Sequence, residues 1–169
     1  MKDKQERAEQ ILKYPVPLKI RGFEIVAKEH RKFIDEIKLP TRGSKDSAGY
    51  DFYSNENINI FPNQQYIFWT DIKSYMLSDE VLQIFVRSST GIKKWLVLGN
   101  STGIIDSDYY KNPKNDGNIA ICLRNESDSV QHIEKGEAIA QGIFLKYYLA
   151  DDIESENERN GGIGSTNKI

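Results

Sequence analysis

The chain has 169 residues, 23 Lys and Arg against 25 Asp and Glu, and a single cysteine, Cys122. This length fits one domain with its own core. The near-balanced charge excludes a general nucleic-acid binder. The lone cysteine excludes disulfide and multi-cysteine zinc frameworks. The longest apolar runs are far shorter than the ~20 residues of a membrane span, and no secretory apolar region follows the charged start, so we predict a cytoplasmic protein without membrane contact.

The N-terminal segment differs in composition from the rest of the chain. Residues 4–13 are rich in Lys, Glu, Gln and Ala, and they predict a short helix that ends before Pro15. We therefore treat residues 1–17 as an appendage and residues 18–150 as one β domain.

Nine short runs of β-branched and aromatic residues recur along the domain, with turn residues between them. No alternation of strands and helices is visible, so the pattern favours an all-β sandwich, jelly roll or barrel. Cys122 lies in one run and is predicted to be a small buried strand residue. The runs are Phe23 to Ala27, Tyr50 to Ser54, Ile58 to Phe61, Tyr66 to Ile72, Val81 to Val86, Trp95 to Leu98, Ile119 to Leu123, Val130 to Ile133 and Ile139 to Tyr147.

A short helix is predicted from the Ser88-Ser89-Thr90 cluster to Lys94, with a serine capping its first turn. Arg87 precedes it, so a guanidinium, hydroxyls and free backbone N–H groups can surround an anion such as phosphate. The alternative is an ordinary capped helix with a surface arginine.

Residues 99–110, Gly-Asn-Ser-Thr-Gly-Ile-Ile-Asp-Ser-Asp-Tyr-Tyr, predict a hairpin with a carboxylate, Asp106, on its returning arm. Its small turn residues let the backbone approach a flat ligand closely. Tyr109 follows three residues later and can offer a ring face near Asp106, so the segment is suited to a nucleotide.

Two further polar residues and the C-terminus have alternative interpretations. Asp51 either bonds to backbone in its turn or holds metal-bound water, and Gln141, inside an apolar run, needs a backbone or ligand partner. Residues 151–169 are predicted to form a flexible tail: five of the ten residues 151–160 are acidic, and a Gly-rich stretch follows Arg159. That stretch either clamps phosphate or stays disordered.

In this order, the segments resemble the five motifs of the trimeric dUTP diphosphatase (dUTPase) family over about residues 39–166. The motifs are Ala48-Gly49-Tyr50-Asp51-Phe52, Arg87-Ser88-Ser89, Gly103-Ile104-Ile105-Asp106-Ser107-Asp108-Tyr109, Gly136-Glu137-Ala138-Ile139-Ala140-Gln141, and Arg159-Asn160-Gly161-Gly162-Ile163-Gly164-Ser165-Thr166.

The resemblance implies a jelly-roll β-barrel and a homotrimer whose subunits share active sites. One subunit would supply the first, second and fourth motifs, the next the hairpin, and the third its tail. The implied reaction is Mg²⁺-assisted hydrolysis of dUTP to dUMP and pyrophosphate, which limits uracil incorporation into DNA and supplies dUMP for dTTP synthesis.

The resemblance also implies roles for the nucleoside-binding residues. Asn100 and the hairpin backbone, including Gly103 and Ile105, would read uracil. Tyr109 would stack on deoxyribose and block a ribose 2′-hydroxyl. Asp106 would bind the 3′-hydroxyl region and orient or deprotonate the attacking water.

The remaining roles concern the triphosphate. Asp51 would act on Mg²⁺ through bound water, and Ile163 would take the lid position in the tail. The residues implied to bind phosphate are Arg87, Ser88, Ser89, Gln141, Arg159, Gly164, Ser165 and Thr166.

Some positions depart from the family pattern. Ile163 replaces a phenylalanine, Ala138 an arginine, and Val86 a proline. Residues 110–116 lengthen the loop before Gly117 and are interpreted either as a tolerated surface insertion or as a subgroup-specific contact surface.

Two alternatives accompany this interpretation. A dCTP deaminase of the same fold shares the Arg-Ser-Ser motif, but the run Ile119 to Leu123 lacks the glutamate such an enzyme places after the hairpin. The other is a dUTPase-like trimer that also binds a regulatory protein through the insertion or the N-terminal segment.

Overall fold

The computed structural model describes residues 19–151. The helix predicted at residues 4–13 and the tail from residue 152, including Arg159 and Ile163, lie outside this range.

Short antiparallel strands dominate the described residues, as the sequence predicts. Twelve strands are joined by turns, two 3₁₀ turns and one five-residue π-helix. The strands are β1 (Gly22–Ile25), β2 (Thr41–Arg42), β3 (Tyr50–Tyr53), β4 (Ile58–Ile60), β5 (Gln65–Trp69), β6 (Ile72–Tyr75), β7 (Glu80–Val86), β8 (Leu96–Leu98), β9 (Gly103–Asp106), β10 (Ala120–Asn125), β11 (Gln131–Ile133) and β12 (Ala138–Lys146).

The strands form four sheets, and each ladder among the described residues is antiparallel. The largest sheet has the order β2-β3-β12-β7-β9, a second has β5-β10-β8, and two pairs, β1-β6 and β11-β4, complete the arrangement. Because most sheet neighbours are not consecutive in the chain, the connections cross from sheet to sheet. The predicted all-β, jelly-roll fold is confirmed.

All nine predicted runs contain strand residues, but the run Tyr66 to Ile72 is two strands rather than one. The chain turns at Asp71, which has a positive φ of 54° and is fully buried. Its carboxylate accepts hydrogen bonds from the backbone amides of Lys32 and Phe33, at 2.8 and 2.9 Å. These distant partners stabilise the break.

The short helix after Arg87 forms at Ser89–Lys93, but the capping prediction is wrong. Ser88 already has helical backbone angles and its side chain makes no capping hydrogen bond. The first turn is instead closed by the amide of Gly91, which donates to the carbonyl of Arg87.

The core is built from aliphatic and aromatic side chains of strands in different sheets. Phe52 of β3, Phe68 of β5, Leu82 of β7 and Leu123 of β10 are almost completely buried within it. No helix among residues 19–151 is long and apolar enough to cross a bilayer.

Candidate active site

Polar residues from three separate segments meet around strand β12. Gln141 on β12 pairs with Asp51 on β3 and with Phe85 on β7. Arg87 follows β7 directly, and its Nε lies 2.9 Å from Oδ1 of Asp51. The pairing of three adjacent strands therefore brings the first, second and fourth motifs together.

This polar cluster is oriented by hydrogen bonds to the backbone. Gln141 Nε2 donates to the carbonyl of Val86 at 3.3 Å, so the partner that its position requires is a backbone group. A Cβ at Gly49 would lie 2.3 Å from Gln141 Oε1, so a larger residue there would displace the end of this side chain. Arg87 also approaches the hydroxyl of Ser89 and the carbonyl of Ala138, at 3.5 and 3.4 Å.

The cluster has the composition of an anion site. The Arg87 side chain is about one-third exposed, at 34%, and Ser88 is exposed beside it. The Asp51 side chain is only 15% exposed, and its contact with Nε orients the guanidinium of Arg87. A phosphate can approach Arg87 and the serine hydroxyls, because charge-assisted hydrogen bonds to an oriented guanidinium are strong and directional.

The hairpin at residues 99–110 forms, but its two arms belong to different sheets. Strand β8 pairs with β10, and β9 pairs with β7. Both are edge strands. The tight turn between them is closed by the amide of Ser101, which donates to the carbonyl of Leu98 at 3.1 Å, and Ser101 has a positive φ of 64°. Each arm therefore has a backbone edge without a strand partner in the described structure, which can hydrogen-bond a planar ligand.

A cavity of about 280 Å³ opens at this hairpin. Its size is near the lower end of small-molecule pockets, ~300–1,000 Å³, and its lining is mostly apolar. The described residues that line it are Gln65, Ile67, Ile84, Leu98, Gly99, Asn100, Gly103, Ala120, Ile121 and Cys122.

Two glycines allow the hairpin backbone to approach the neighbouring strands. A Cβ at Gly99 would lie 2.8 Å from Cys122 Sγ, and one at Gly103 would lie 2.9 Å from Cβ of Ile84. Both distances are shorter than real Cβ contacts, so a larger residue at either position would displace the hairpin and change the cavity.

Cys122 is a strand residue as predicted, but it is partly exposed rather than buried. The side chain faces the cavity, which the sequence did not indicate. Burial raises the pKa of the Cys122 thiol, although a hydrogen bond from the amide of Gly99 opposes this shift. The thiol form is therefore favoured.

Asp106 and Tyr109 lie at the end of β9, away from the turn. Asp106 is paired with Val81 at the start of β7, and Tyr109 ends the 3₁₀ turn after β9. Tyr109 is 8% exposed and belongs to the core. Its hydroxyl donates to the carbonyl of Asn118 at 2.9 Å. Of the predicted nucleoside-binding residues, Asn100 and Gly103 line the cavity, whereas Ile105, Asp106 and Tyr109 are not among its lining residues.

Strand β7 separates the two halves of the predicted site. Asp106 lies opposite Val81 at one end, and Arg87 follows the other end, six residues further on. A strand rises about 3.3 Å per residue, so the two lie about 20 Å apart along β7. The described residues of one chain therefore keep Asp106 away from the phosphate-binding candidates, although Gly103, at the turn end of the hairpin, lies opposite Ile84, three residues before Arg87.

The loop at residues 110–118 is anchored in the fold, although Lys111, Pro113 and Lys114 are exposed. Asn112, Asp116 and Asn118 are exposed by 8% or less. Lys73 Nζ and the amide of Ala27 both donate to Asp116 Oδ2, at 2.6 Å. The cluster of Asn, Asp and Gly is a visible sequence signal for local side-chain-to-backbone bonding, but its distant partners are not visible in the sequence.

Comparison with known proteins gives a consistent result. The protein-family model described as dUTPase matches residues 35–167. The deoxyuridine 5′-triphosphate nucleotidohydrolase of Lactococcus lactis is 44% identical over 151 residues, which are 88% of this chain and 99% of that protein.

Solved structures show the same likeness. A crystal structure of the dUTPase from Streptococcus mutans superposes with a TM-score of 0.69 at 41% identity, covering 77% of this chain and 98% of that one. A mutant dUTPase from phage phi11 of S. aureus, described with a structural Mg(II) ion, shares the fold with a TM-score of 0.61 at 20% identity, covering 82% and 98%.

Proposed function

The chain belongs to the dUTPase family, and we propose that this dUTP diphosphatase assembles each active site from different subunits of a homotrimer. The observation that carries the proposal is the separation of Asp106 from Arg87 by the length of β7. A triphosphate attacked at its α-phosphorus needs a base and phosphate ligands around the same few atoms. A neighbouring copy of the chain can supply the half that is out of reach.

The hairpin cavity is the proposed base pocket. Asn100 and the free backbone edges beside Gly103 and Ile105 would hydrogen-bond the uracil edge. The close packing at Gly99 and Gly103 would leave little space for a 5-methyl group, so we expect thymine to be rejected. Tyr109 would stack on the deoxyribose and exclude a 2′-hydroxyl.

The cluster at Arg87 is the proposed phosphate site. Arg87, Ser88, Ser89 and Gln141 would bind the triphosphate from one subunit. From a third subunit, Arg159, Gly164, Ser165 and Thr166 would close over it, with Ile163 in the lid position.

The donor set fits a Mg²⁺ that arrives with the substrate. Within residues 19–151 no group of three or more His, Cys, Asp or Glu side chains is placed to hold a metal, and Oδ1 of Asp51 already interacts with Arg87. Mg²⁺ commonly takes substrate phosphate oxygens and water with one or two carboxylates, so Asp51 would act on it through water. When bound, the ion would neutralise the triphosphate charge.

Asp106 is the proposed catalytic residue. It would orient a water molecule for in-line attack on the α-phosphorus and accept its proton, a contribution typically worth ~10²–10⁴-fold. Because Asp106 is the last residue of β9 and directly precedes the 3₁₀ turn that ends at Tyr109, the base and sugar contacts would be held in one fixed unit.

Mixing two inactive variants tests the shared site. Asp106→Asn and Arg87→Ala would each abolish pyrophosphate release from dUTP. The two variants are unfolded, mixed in equal amounts and refolded together. Half of the chains then carry an intact Asp106 and the other half an intact Arg87, so random assembly would join the two at roughly a quarter of the sites and restore activity there. Each variant refolded alone is the control.

Failure of complementation, with mixed trimers shown by differential tagging, would contradict the shared site without contradicting dUTP hydrolysis. Pyrophosphate release from dUTP, dTTP, dCTP and UTP, with and without Mg²⁺, tests substrate and cofactor directly. Ammonia release from dCTP would instead favour the deaminase alternative. A regulatory protein partner and the cytoplasmic location stay predictions.

A further inference from the structure

The loop at residues 110–118 contains the atoms that hold the hydroxyl of Tyr109. That hydroxyl donates to the carbonyl of Asn118 at 2.9 Å and accepts from Nδ2 of Asn115 at 2.7 Å. The phenol is thus fixed at its polar end by two partners, while its Cα is fixed by the 3₁₀ turn.

Asn115 is itself held in a fixed orientation. Its Oδ1 accepts from Nδ2 of Asn112 at 2.7 Å and from the amide of Gly117 at 3.1 Å. Gly117 has a φ of +83°, and a Cβ there would lie 2.7 Å from the carbonyl oxygen of Tyr109, so the loop passes close beside the tyrosine backbone. With its oxygen occupied in this way, Asn115 directs its amide nitrogen at the phenol.

The loop is anchored without Asn115. Asp116 pairs with Lys73 at 2.6 Å, and Asn118 exchanges two hydrogen bonds with Asp71, at 2.8 and 3.0 Å. Loss of the Asn115 side chain would therefore leave the loop attached at Asp116 and Asn118. The Tyr109 hydroxyl would lose one of its two partners, and Asn112 and Gly117 would lose their bonds to Asn115 Oδ1.

We propose that Asn115 is a positioning residue that holds the Tyr109 ring through its hydroxyl and thereby sets selectivity for deoxyribose over ribose. The inference rests on the proposed function, in which the ring excludes a 2′-hydroxyl. This selectivity depends on small displacements of the ring, because the ring must clash with a ribose 2′-hydroxyl while it still stacks on deoxyribose. Asn115 acts only through Tyr109 and does not touch substrate.

The test is a double-mutant cycle read as the ratio of kcat/KM for dUTP to kcat/KM for UTP. Asn115→Ala is expected to lower this ratio about threefold to tenfold, the effect of losing one hydrogen bond. Tyr109→Phe keeps the ring but removes the hydroxyl and is expected to lower it similarly. In the Tyr109→Phe background, Asn115→Ala should cause no further loss.

Lys114→Ala is the matched control, because Lys114 is an exposed neighbour in the same loop and the substitution keeps the backbone amide that donates to Asn112 Oδ1. It should leave the ratio unchanged. Thermal unfolding of each variant separates loss of stability from loss of selectivity.

The proposal is overturned if Asn115→Ala leaves the dUTP-to-UTP ratio of kcat/KM unchanged. It is also overturned if Asn115→Ala lowers this ratio as much in the Tyr109→Phe background as in the wild type. Neither result would contradict dUTP hydrolysis. If Asn115→Ala does not fold, Asn115→Asp decides, because it keeps the accepting oxygen and removes the Nδ2 donor to the hydroxyl: full selectivity overturns the proposal, and a loss of about threefold to tenfold supports it. If the wild-type protein does not hydrolyse dUTP, the proposed function itself fails, and this inference fails with it.

Discussion

Replacing Asp116 by Asn tests whether the loop at residues 110–118 stabilises the whole domain. The side chains of Asp116 and Lys73 are only 11% and 7% exposed, and the ammonium lies 2.6 Å from the carboxylate. Asn has nearly the same shape and tolerates the positive φ of 57° at this position. The substitution therefore removes the charge with little change in packing.

The expected cost is large because a buried charge loses its partner. At 2.6 Å, and with an effective dielectric constant of about 20, the Coulomb attraction is about 6 kcal/mol. Most of this only offsets desolvation, but removing one member of a buried pair typically costs about 3–5 kcal/mol. We expect the free energy of unfolding to fall by about 3 kcal/mol, the low end, since the Asn oxygen still accepts hydrogen bonds from Lys73 and Ala27.

The effect should also depend on pH in a defined direction. Burial alone would raise the pKa of Asp116, but hydrogen bonds from Lys73 and from the amide of Ala27 hold it below its ordinary value. A carboxyl with a lowered folded pKa contributes stability above the unfolded value, about 3.9 for Asp, and that contribution is lost as the pH falls further. The difference between wild type and Asp116→Asn should therefore shrink below pH ~4.

Urea unfolding at one fixed protein concentration measures both effects, because assembly makes apparent stability depend on concentration. Asp79→Asn is the matched control: its pair with Lys146 is 51% and 66% exposed, so a change of only ~0–1 kcal/mol is expected. If Asp116→Asn costs no more than Asp79→Asn, the loop is not a stabilising element and the reasoning is refuted.

Other measurements test the site itself. Asp106→Asn should retain dUTP binding by calorimetry but lose nearly all turnover, and near-normal pyrophosphate release would contradict its catalytic role. Cys122 should react slowly with iodoacetamide near neutral pH, because burial raises its pKa, and dUMP should protect it; labelling unaffected by dUMP would place the base elsewhere. Gly103→Ala should raise the KM for dUTP, since its Cβ would crowd Ile84, whereas an unchanged KM would show that the hairpin tolerates the shift. Removal of residues 158–169 should reduce activity far more than thermal stability, and equal losses would indicate a structural tail.

The strand pattern is predictable from the sequence because it depends on local residue types. Alternating apolar positions and turn residues identify all nine runs. The run Tyr66 to Ile72 predicts one strand because its only local turn signal is a single aspartate, Asp71. The partners that stabilise the turn there are the amides of Lys32 and Phe33, nearly forty residues away. Strand β2 is two exposed residues long and carries no apolar pattern.

The site is predictable only in part, for a related reason. Family resemblance predicts Arg87, Asp51 and Gln141 as site residues, and the sheet register brings these three side chains together. The positions that face the cavity from neighbouring strands, such as Ile84 and Cys122, depend on which strands become neighbours, which periodicity does not reveal. Likewise, composition marks residues 110–116 as turn-rich but does not reveal Lys73 as the partner of Asp116.

The division of the site along β7 has a physical consequence for how the enzyme is organised. Each half is held rigidly within one chain: Asp51 orients Arg87, and the buried loop fixes Tyr109 at its hydroxyl. Groups held this way lose little conformational entropy when substrate binds, which favours an oriented reaction. Within one chain, β7 holds Asp106 about 20 Å from Arg87. In the proposed trimer, the distance between Asp106 of one subunit and Arg87 of a neighbour would be set by the subunit interface, so an interface substitution would abolish turnover while each subunit stays correctly folded.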